Sequence, residues 1–484
     1  MKLEKLLSGI NVIKGNVPLS MDITEIVYDS RKVTPGCMFI AITGFATDGN
    51  KYIPMALEKG AAVIVTAKPQ TEDVPHLQVE DDRLALAQIG ASFYDHPGKA
   101  MKLIGVTGTN GKTSSTLLLK YVLEQVLGAK VGLMGTMENM IGHQSIPTER
   151  TTPESFELQA LLAQMRDAGC THAIMEVSSH AIALQRVAGL HYTVAAFTNL
   201  TEDHLDFHKT MEDYCRTKAE LFSRCDKAVA NADDAWFAQM TEKANCPLLA
   251  TSVKSAADLR AENLELLSDG ISFTAVYGAE KVPVRLPIPG KFTVYNALTV
   301  LGCALQLGIS LTDAAEALKT AKGVKGRVEV VPTPGKDYTI LIDYAHTPDG
   351  LENVLSSVKD FCKGRLIAVF GCGGDRDPIK RPIMGKIGTD IADIAVITSD
   401  NPRTEDPVKI IEDILKGVDS ARNSCQVIEN RPKAIQYAMD IAEKNDIIVL
   451  AGKGHETYQE ICGVKHHLDE REVVAAYLAE TRNG

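Results

Sequence analysis

The residues best suited to chemistry in this chain form a glycine-rich segment, Gly105-Val-Thr-Gly-Thr-Asn-Gly-Lys-Thr113. Backbone N–H groups of such a segment can surround an anion, its lysine can reach terminal phosphates, and its last threonine can bind Mg²⁺. A short apolar run precedes the segment and a leucine-rich helical pattern follows it, as a phosphate-binding loop requires. A glycine is missing where Val106 stands, so Gly108 must supply the turn. The sequence predicts a nucleotide-phosphate site, and the alternative is a fortuitous glycine turn.

Acidic and imidazole side chains follow two predicted buried strands. Glu176 ends the apolar run 171–176, and His204 lies in a polar loop after the run 192–198. Ligands of an open parallel sheet gather beyond the carboxyl ends of its strands, so Glu176 should face the same crevice as Lys112. An acid there can hold Mg²⁺ directly or through water. For the loop around His204, metal or phosphate chemistry and a simple hydrated loop both stay open.

The last third of the chain repeats one pattern, in which an apolar run ends in a polar turn. The four runs are residues 339–343, 366–370, 394–398 and 447–450, and their turns are rich in Asp, Arg, His and Gly. Right-handed crossovers would bring all four turns to one edge of a parallel sheet. Four such turns are hard to attribute to connection alone, so the sequence predicts a binding face there.

Two polar residues in helical patterns have no evident chemical role. Lys218 lies in the pattern 211–222, where composition indicates a surface lysine. Asn296 lies near the start of another helical pattern, where it is either a helix cap or an amide that reads a base. Capping is the stronger interpretation, because asparagine is a preferred residue at helix N-termini.

The elements that must position these residues divide into three α/β regions. Residues 1–98 alternate short apolar runs with a helix, and the polar turn 94–99 breaks that pattern. Residues 99–328 predict a central P-loop-type ATPase domain with a mostly parallel sheet. Proline and glycine at 331–335 mark a second boundary, and residues 329–484 predict a C-terminal Rossmann-like domain. The expected fold is therefore α/β in three domains, with a small N-terminal one.

Composition excludes several classes of protein. The net charge of −11 disfavours a general role on nucleic acid or on anionic membranes. The ten cysteines are scattered without a Cys-x-x-Cys pair, so neither a zinc site nor a disulfide framework is indicated. No apolar run approaches membrane-spanning length. We therefore expect a cytoplasmic protein with small-molecule substrates, no nucleic-acid partner and no membrane insertion.

Together these motifs resemble those of the Mur ligases, ATP-dependent amide-forming enzymes of peptidoglycan synthesis. The matching segments occur in the family's order along all three regions, and they are 107–113, 176–180, 199–204, 296, 326–327, 343–346 and 452–456. The tetrapeptide Asp400-Asn-Pro-Arg403 is similar to that of diaminopimelate-adding members, whereas lysine-adding members differ at the arginine. The resemblance implies an ADP-forming ligase that adds meso-diaminopimelate to UDP-N-acetylmuramoyl-L-alanyl-D-glutamate through an acyl phosphate. We expect this ligase to be a monomer. Its product would serve cell-wall biogenesis, cell shape and cell division.

The resemblance also implies a role for each matching residue, with ATP and Mg²⁺ as cofactors. ATP would contact Gly108, Thr109, Asn110, Gly111, Lys112, Thr113, Ser114, Asn296, Arg327 and Asp343. Mg²⁺ would be held by Thr113, Glu176, His204 and a carbamylated Lys218. The uridine nucleotide of the first substrate would contact Ser30, and its muramoyl-dipeptide would contact Thr151, Thr152, Ser178 and Arg186. Diaminopimelate would contact Arg376, Asp400, Asn401, Pro402, Arg403, Gly452 and Glu456.

The catalytic set implied by the resemblance is Lys112, Glu176, His204, Lys218 and His346. His346 would contact the phosphates or help to deprotonate the amine. The chain departs from the family pattern at Thr293, where many members have Asn, and at Lys325, which replaces a common Pro. Two other interpretations stay open: another ligase of the superfamily, of the folylpolyglutamate or alanyl-alanine-adding type, and a binding protein that hydrolyses ATP as a switch.

Overall fold

The structure is a computed structural model that describes residues 1–44, 47–267, 269–419 and 425–482. The chain forms two compact units. The first consists of Met1–Leu259 with Thr299–Leu311, and the second consists of Arg260–Leu298 with Thr312–Gly484.

A five-stranded sheet begins the first unit. Its strands are β1 (Val12–Gly15), β2 (Ile26–Val27), β3 (Met38–Ile40), β4 (Val63–Thr66) and β5 (His76–Val79), in the order β1-β5-β4-β3-β2. Strands β2 to β5 are parallel, and β1 pairs antiparallel with β5. The helices of this part are α1 (Leu3–Leu6), α2 (Ile53–Glu58) and α3 (Asp82–Phe93). Leucine, isoleucine and valine side chains from strands and helices form one buried cluster.

A second, mostly parallel sheet carries the glycine-rich segment. Its strands are β6 (Lys102–Thr107), β7 (Val131–Met134), β8 (Asn139–Ile141), β9 (Gln144–Ile146), β10 (His172–Glu176), β11 (Tyr192–Phe197), β12 (Cys225–Asn231) and β13 (Leu248–Ser252). Within the first unit their order is β13-β12-β11-β6-β10-β7-β8-β9. The pairs β7–β8 and β8–β9 are antiparallel, and the pairs that join β6, β7, β10, β11, β12 and β13 are parallel. Strand β6 thus lies between β10 and β11, and the loops after these three strands share one edge.

Six α-helices of the described part of the chain accompany the second sheet of the first unit. They are α4 (Lys112–Leu127), α5 (Ser155–Asp167), α6 (Ser179–Ala183), α7 (Leu205–His208), α8 (Met211–Ala219) and α9 (Phe237–Thr241). The two longest are α4 and α5. Helix α4 begins directly after the glycine-rich turn and ends at Gly128, whose left-handed backbone closes the helix. Leu118, Leu119, Val122 and Leu123 of this helix are buried.

The second unit contains an antiparallel group and a mostly parallel sheet. The antiparallel strands are β14 (Leu259–Leu267), β15 (Gly270–Tyr277) and β16 (Glu280–Leu286). The helices α10 (Lys291–Gln306) and α11 (Leu311–Leu318) follow in the chain, and residues 299–311 of this stretch belong to the first unit. The other sheet has β17 (Glu329–Val331), β18 (Thr339–Asp343), β19 (Leu366–Phe370), β20 (Ile394–Ile397), β21 (Cys425–Val427) and β22 (Ile447–Ala451), in the order β17-β18-β22-β19-β20-β21. Strands β18 to β22 are parallel and β17 is antiparallel.

Helices cover this sheet, and a hairpin follows its last strand. The helices are α12 (Pro348–Lys359), α13 (Lys380–Ile391), α14 (Pro407–Leu415), α15 (Arg431–Asp440) and α16 (Glu470–Arg482), and the hairpin consists of β23 (Tyr458–Ile461) and β24 (Val464–His467). Because β18, β22, β19 and β20 are adjacent and parallel, the four predicted polar turns lie on one edge. Helix α14 begins with a side-chain cap, because Asp406 accepts from the N–H of Val408 and Pro407 lies in the first turn.

The predicted α/β class with mostly parallel sheets is confirmed. The predicted domain boundaries after residues 98 and 328 stay predictions. Within the described ranges, no helix is both long enough and apolar enough to cross a membrane.

Candidate functional site

The glycine-rich segment forms a tight turn between β6 and α4. Gly108 and Gly111 adopt φ angles of 146° and 83°, which side-chain-bearing residues rarely adopt. The Nζ of Lys112 donates to the carbonyl oxygens of Gly108 and Thr109, each at 2.8 Å. Ser114 lies in the first turn of α4 and is half-buried. The predicted strand, turn and helix are therefore present, and Gly108 does supply the turn.

The end of β11 supports this turn. The N–H of Thr109 donates to the carbonyl of Asn199 at 2.8 Å, and the N–H of Asn110 donates to the Asn199 Oδ1 at 3.0 Å. The Thr198 hydroxyl donates to the carbonyl of Asn110 at 2.7 Å. Polar side chains after a neighbouring strand thus fix the backbone of the loop.

Glu176 lies at the end of β10 and is 1% exposed. Its Oε2 accepts from the Thr113 hydroxyl at 3.0 Å and from the Thr136 hydroxyl at 3.0 Å, and its Oε1 accepts from the N–H of Thr136 at 2.9 Å. The structure therefore brings together Thr113 and Glu176, two predicted magnesium ligands. Both offer oxygen, which Mg²⁺ prefers.

Lys218 is buried, so its interpretation as a surface lysine is wrong. Its side chain is 1% exposed on α8, and its Nζ donates to the carbonyl of Gly108 at 2.9 Å. The Nζ also lies 4.7 Å from the centre of the Tyr214 ring. Burial first, and then the charge of Lys112, lower the pKa of Lys218 well below that of an exposed lysine. Composition could not reveal this, because it does not indicate which face of a helix is buried.

His204 belongs to a cluster of aromatic and imidazole rings beside Lys218. It begins α7 with a left-handed backbone (φ 54°), and its ring lies 4.8 Å from that of His180 and 6.2 Å from that of Tyr214. His208 follows in the same helix, and its Nε2 lies 2.8 Å from the Ser179 Oγ. His204 and Lys218 are therefore both neighbours of one tyrosine. The interpretation of this segment as only a hydrated loop is wrong for His208, which is 5% exposed.

The predicted muramoyl-dipeptide contacts also lie beside Glu176. The hydroxyl oxygens of Thr136 and Thr151 lie 3.0 Å apart. The Thr152 hydroxyl donates to the carbonyl of Glu176 at 2.7 Å and accepts from the N–H of Ser178 at 3.2 Å. Four of the predicted site residues therefore lie close together in space: Thr151, Thr152, Glu176 and Ser178.

Arg186 extends this group toward a buried carboxylate. Its Nη1 donates to the carbonyl of Thr152 at 3.3 Å, and its Nε lies 3.3 Å from Glu154 Oε2. Glu154 is 6% exposed and also has Arg83 and Arg150 at 3.6 Å. Three guanidinium groups around one carboxylate leave an excess of positive charge, which suits an anionic ligand.

Ser30 lies elsewhere, at the first sheet of this unit. It begins a short 3₁₀ turn that the side chain of Asp29 caps, and it is 8% exposed. Its carbonyl accepts from the Nζ of Lys59 at 3.0 Å.

The second unit holds the remaining predicted ATP contacts. Asp343 at the end of β18 accepts from the N–H groups of Val328 and Ala345, each at 2.8 Å. Burial raises the pKa of this carboxyl, and the charge of Arg327 opposes the rise. The Arg327 guanidinium lies 5.2 Å from the centre of the Tyr344 ring.

His346 is exposed, whereas Asn296 is buried inside a helix. The exposed His346 ring has its Nδ1 2.9 Å from the carbonyl of Tyr344. Asn296 lies more than one turn inside α10 and is 5% exposed, so the capping interpretation is wrong. A cap must precede the first helical residue, and α10 begins at Lys291.

The tetrapeptide Asp400-Asn-Pro-Arg403 follows β20 and is held by the hairpin strand β23. The Gln459 amide donates to the carbonyl of Asp400 at 2.6 Å, and the N–H of Arg403 donates to the carbonyl of Glu460 at 3.0 Å. Arg403 has a φ of 52°, and its Nη1 donates to the carbonyl of Gly374 at 2.6 Å. Its Nε lies 3.5 Å from Glu460 Oε2.

The turn after β19 and the turn after β22 complete this group. Arg376 is exposed and lies in the first of these turns, and Pro402 is buried beside Gly374. Glu456 Oε2 accepts from the Asn401 Nδ2 at 2.9 Å. A Cβ on Gly452 would collide with the Asp400 carboxylate, which explains the glycine. The structure therefore gathers all seven predicted diaminopimelate contacts, including Arg403 and Asp400, in three neighbouring turns.

Comparison with known proteins identifies the family. Family sequence models match residues 22–94 as the Mur ligase family catalytic domain, 106–304 as the Mur ligase middle domain, and 326–454 as the Mur ligase glutamate ligase domain. The chain belongs to the Mur ligase family. The resemblance inferred from the motifs is confirmed.

Similar Mur ligases share one name. The UDP-N-acetylmuramoyl-L-alanyl-D-glutamate–2,6-diaminopimelate ligase of Clostridium botulinum is 48% identical, over 95% of this chain and 96% of its own length. The enzyme of the same name from Clostridium tetani is 46% identical, over 99% of this chain and 100% of its own length.

Solved structures agree with this family. One of a UDP-N-acetylmuramoyl-L-alanyl-D-glutamate–2,6-diaminopimelate ligase has a TM-score of 0.75 and 32% identity, covering 100% of this chain and 99% of that one. MurF from Acinetobacter baumannii has a TM-score of 0.63 at 19% identity, covering 99% and 98%, and shares the fold.

Several contacts in this Mur ligase were missed from the sequence. Thr136 gives two hydrogen bonds to Glu176, and Glu154 gathers three arginines. Lys453 is fully buried between Asn401 and Glu456. Only Lys453 had a signal, because it lies within the matching segment 452–456.

Proposed function

We propose that this Mur ligase is an ATP-dependent, ADP-forming enzyme that joins meso-diaminopimelate to UDP-N-acetylmuramoyl-L-alanyl-D-glutamate. The observation that carries the proposal is the group of turns around Arg403, which presents a guanidinium together with the carboxylates of Asp400 and Glu456. An amino acid that ends in both a carboxylate and an ammonium group complements such a pocket. Relatives that are named as diaminopimelate ligases support the proposal, because the match covers 96% and 100% of their length.

The proposal assigns a task to each predicted domain. Residues 1–98 bind the uridine nucleotide, with Ser30 as a contact. Residues 99–328 bind ATP and activate the dipeptide. Residues 329–484 bind the incoming amine.

Activation needs a phosphoryl group to pass from ATP to the side-chain carboxylate of D-glutamate. The loop amides and Lys112 bind the phosphates, because they offer hydrogen-bond donors and positive charge at a helix N-terminus. Thr113 and Glu176 are 3.0 Å apart and fit Mg²⁺, which would spread the charge that develops on the transferred group. Asn296, Arg327 and Asp343 are the proposed further ATP contacts.

Lys218 is proposed to be carbamylated. Carbon dioxide bonds to a neutral amine nitrogen, which then loses a proton, and an anionic carbamate results. The lowered pKa of Lys218 supplies the neutral amine. The carbamate oxygens, together with His204, would complete a second set of Mg²⁺ ligands. Within the described residues no ready-made group of three His, Cys, Asp or Glu side chains forms a metal site.

Amide formation follows when the diaminopimelate amine attacks the acyl phosphate. The tetrahedral intermediate expels phosphate, and no side-chain nucleophile is needed. Thr151, Thr152, Ser178 and Arg186 would hold the dipeptide near Glu176. His346 is proposed to contact the phosphates or to take the proton of the amine.

The product assay tests the function directly. Purified protein is incubated with ATP, Mg²⁺, UDP-muramoyl-dipeptide and either diaminopimelate or lysine. The masses of the products are then measured by mass spectrometry. We expect a heavier UDP-tripeptide with diaminopimelate, with one ADP released for each amide formed. ADP release without a heavier product would leave only the switch interpretation, and a product with another amine would indicate a different ligase of the superfamily.

Monomeric state and cytoplasmic location are also proposed. The proposed location rests on the small, charged substrates of the proposed reaction. Light scattering of the purified chain tests the monomeric state. A mass of two chains would contradict it.

A further inference from the structure

Lys453 lies in the turn after β22, and its side chain is fully buried. Its Nζ donates to Asn401 Oδ1 at 3.0 Å and to Glu456 Oε2 at 3.2 Å, and it lies 3.7 Å from Asp400 Oδ1. A buried ammonium group requires acceptors and counter-charges in place of water. Lys453 therefore depends on three residues of the proposed amine site.

The contact with Lys453 fixes the amide of Asn401. The Oδ1 of Asn401 accepts both from Lys453 and from the N–H of Glu460, the latter at 2.9 Å. Its Nδ2 donates to Glu456 Oε2 at 2.9 Å. A flipped amide would direct an NH₂ group at two donors, so only one orientation satisfies these contacts.

The same contacts leave one oxygen of each carboxylate for a ligand. Glu456 Oε2 accepts from Asn401 and Lys453, and Asp400 Oδ1 accepts from the N–H of Asn401 at 2.7 Å. Within the described residues, Glu456 Oε1 and Asp400 Oδ2 accept no hydrogen bond. These two atoms are suited to accept from an ammonium group of the substrate.

Charge gives Lys453 a second effect. Asp400 and Glu456 carry two negative charges, and Lys453 compensates one of them. The nearby Arg431 is paired with Glu470 at 2.7 Å, and Arg403 is paired with Glu460 at 3.5 Å, so neither arginine adds net charge. The group therefore has room for one ammonium charge, whereas without Lys453 it would favour a substrate of higher positive charge.

We propose that Lys453 is a positioning residue that determines amine specificity: it orients Asn401 and Glu456 and limits the negative charge that the amine meets. The inference rests on the proposed function. Meso-diaminopimelate has no net charge at neutral pH and lysine has one positive charge, so the lysine side chain at 453 favours diaminopimelate over lysine as substrate.

Steady-state kinetics of Lys453→Met and Lys453→Gln in the full chain test this proposal. We expect the KM for diaminopimelate to rise about tenfold or more, while the KM for ATP is unchanged. The ratio of kcat/KM for diaminopimelate to that for lysine should fall about tenfold. Lys453→Arg should restore part of that ratio because it keeps the charge. Lys433→Met, at an exposed lysine of α15, is the matched control and should change neither value.

Two results would overturn the inference. One is wild-type selectivity in a folded Lys453→Gln protein, and the other is an equal rise in the KM values for ATP and diaminopimelate. Lys453→Gln retains hydrogen-bond donors, so it keeps the test available where Lys453→Met does not fold. A wild-type protein that forms no product with either amine contradicts the proposed function itself, whereas wild-type product with unchanged variant selectivity contradicts this inference alone.

Discussion

Arg403 is the residue on which the choice of amine depends most directly in the proposed function. Its backbone is held by β23 and its Nη1 donates to the carbonyl of Gly374, so the guanidinium has a fixed position. A planar guanidinium can bind a carboxylate through two parallel hydrogen bonds, whereas an ammonium group acts as a point charge.

Replacing Arg403 should therefore damage amine use selectively. We expect Arg403→Ala to lower kcat/KM for diaminopimelate about a hundredfold and Arg403→Lys to recover only part of it, because charged hydrogen bonds of this kind contribute about 2–5 kcal/mol. Binding of ATP, followed by calorimetry, should be unchanged. Unaltered diaminopimelate kinetics in Arg403→Ala would refute this role.

Lys218 shows how burial can change the chemistry of a residue. The lowered pKa provides a neutral amine, so we expect the intact protein to carry the added mass of one carbon dioxide at this position. Lys218→Ala should reduce kcat about ten- to a hundredfold, the usual effect of losing support for a metal site. Added formate or acetate should recover part of the activity by supplying a carboxylate.

The control for this experiment is an exposed lysine. Lys243→Ala removes a side chain that is 41% exposed and pairs with Glu220, and its activity should be that of the wild type. Full activity in Lys218→Ala, or an unmodified Lys218 in the active protein, would contradict the carbamate.

Individual residues also show where sequence reasoning fails. Motif residues such as Thr113, Glu176 and Arg403 could be placed because each follows a predicted strand, and strand ends meet at one edge of a sheet. Lys218 and Asn296 were misplaced because a helical pattern does not state which face is buried or where the helix begins. Arg83 and Arg186 reach Glu154 from distant parts of the chain, and no local pattern joins them to it.

At the scale of elements, α14 illustrates a helix whose start is encoded locally. The Asp406 carboxylate accepts from the N–H of Val408, and Pro407 supplies the φ angle that the first turn needs. The apolar side chains Ile410, Ile411 and Ile414 then pack into the core of the second unit. The residues that start this helix and those that bury it are therefore neighbours in the sequence, so local signals are enough to define it.

Removing the cap should affect stability without affecting chemistry. We expect Asp406→Ala to lower the free energy of unfolding by about 1 kcal/mol, because one N–H at the helix start loses its acceptor. Asp406→Asn keeps an acceptor and should stay close to the wild type. Chemical denaturation measures both, and a stability of Asp406→Ala equal to that of Asp406→Asn would show that the cap contributes nothing.

At the scale of the whole molecule, each of the two compact units has a buried core of its own. His208 belongs to the first unit, where its Nε2 lies 2.8 Å from the Ser179 Oγ. Burial first, and then the charge of His180, lower the pKa of His208 from 6.5 to about 4. The first unit therefore contains a histidine that takes up a proton far more readily after unfolding.

This difference fixes the direction of the pH dependence. Between pH 6.5 and about 4 the unfolded chain binds a proton at His208 that the folded protein does not, so stability falls as the pH is lowered. The gap corresponds to about 3 kcal/mol at most. His208→Gln should therefore flatten the pH dependence of the melting temperature of the protein within this window.

The control is His191→Gln, which replaces a histidine that is 63% exposed and pairs with Asp226, and which should leave the slope unchanged. Gln at 208 removes the titrating group, so its slope separates the proton effect from any uniform loss of packing, which would lower the melting temperature equally at every pH. An undiminished slope in His208→Gln would mean that other groups of the first unit, such as the buried His172, cause its acid sensitivity.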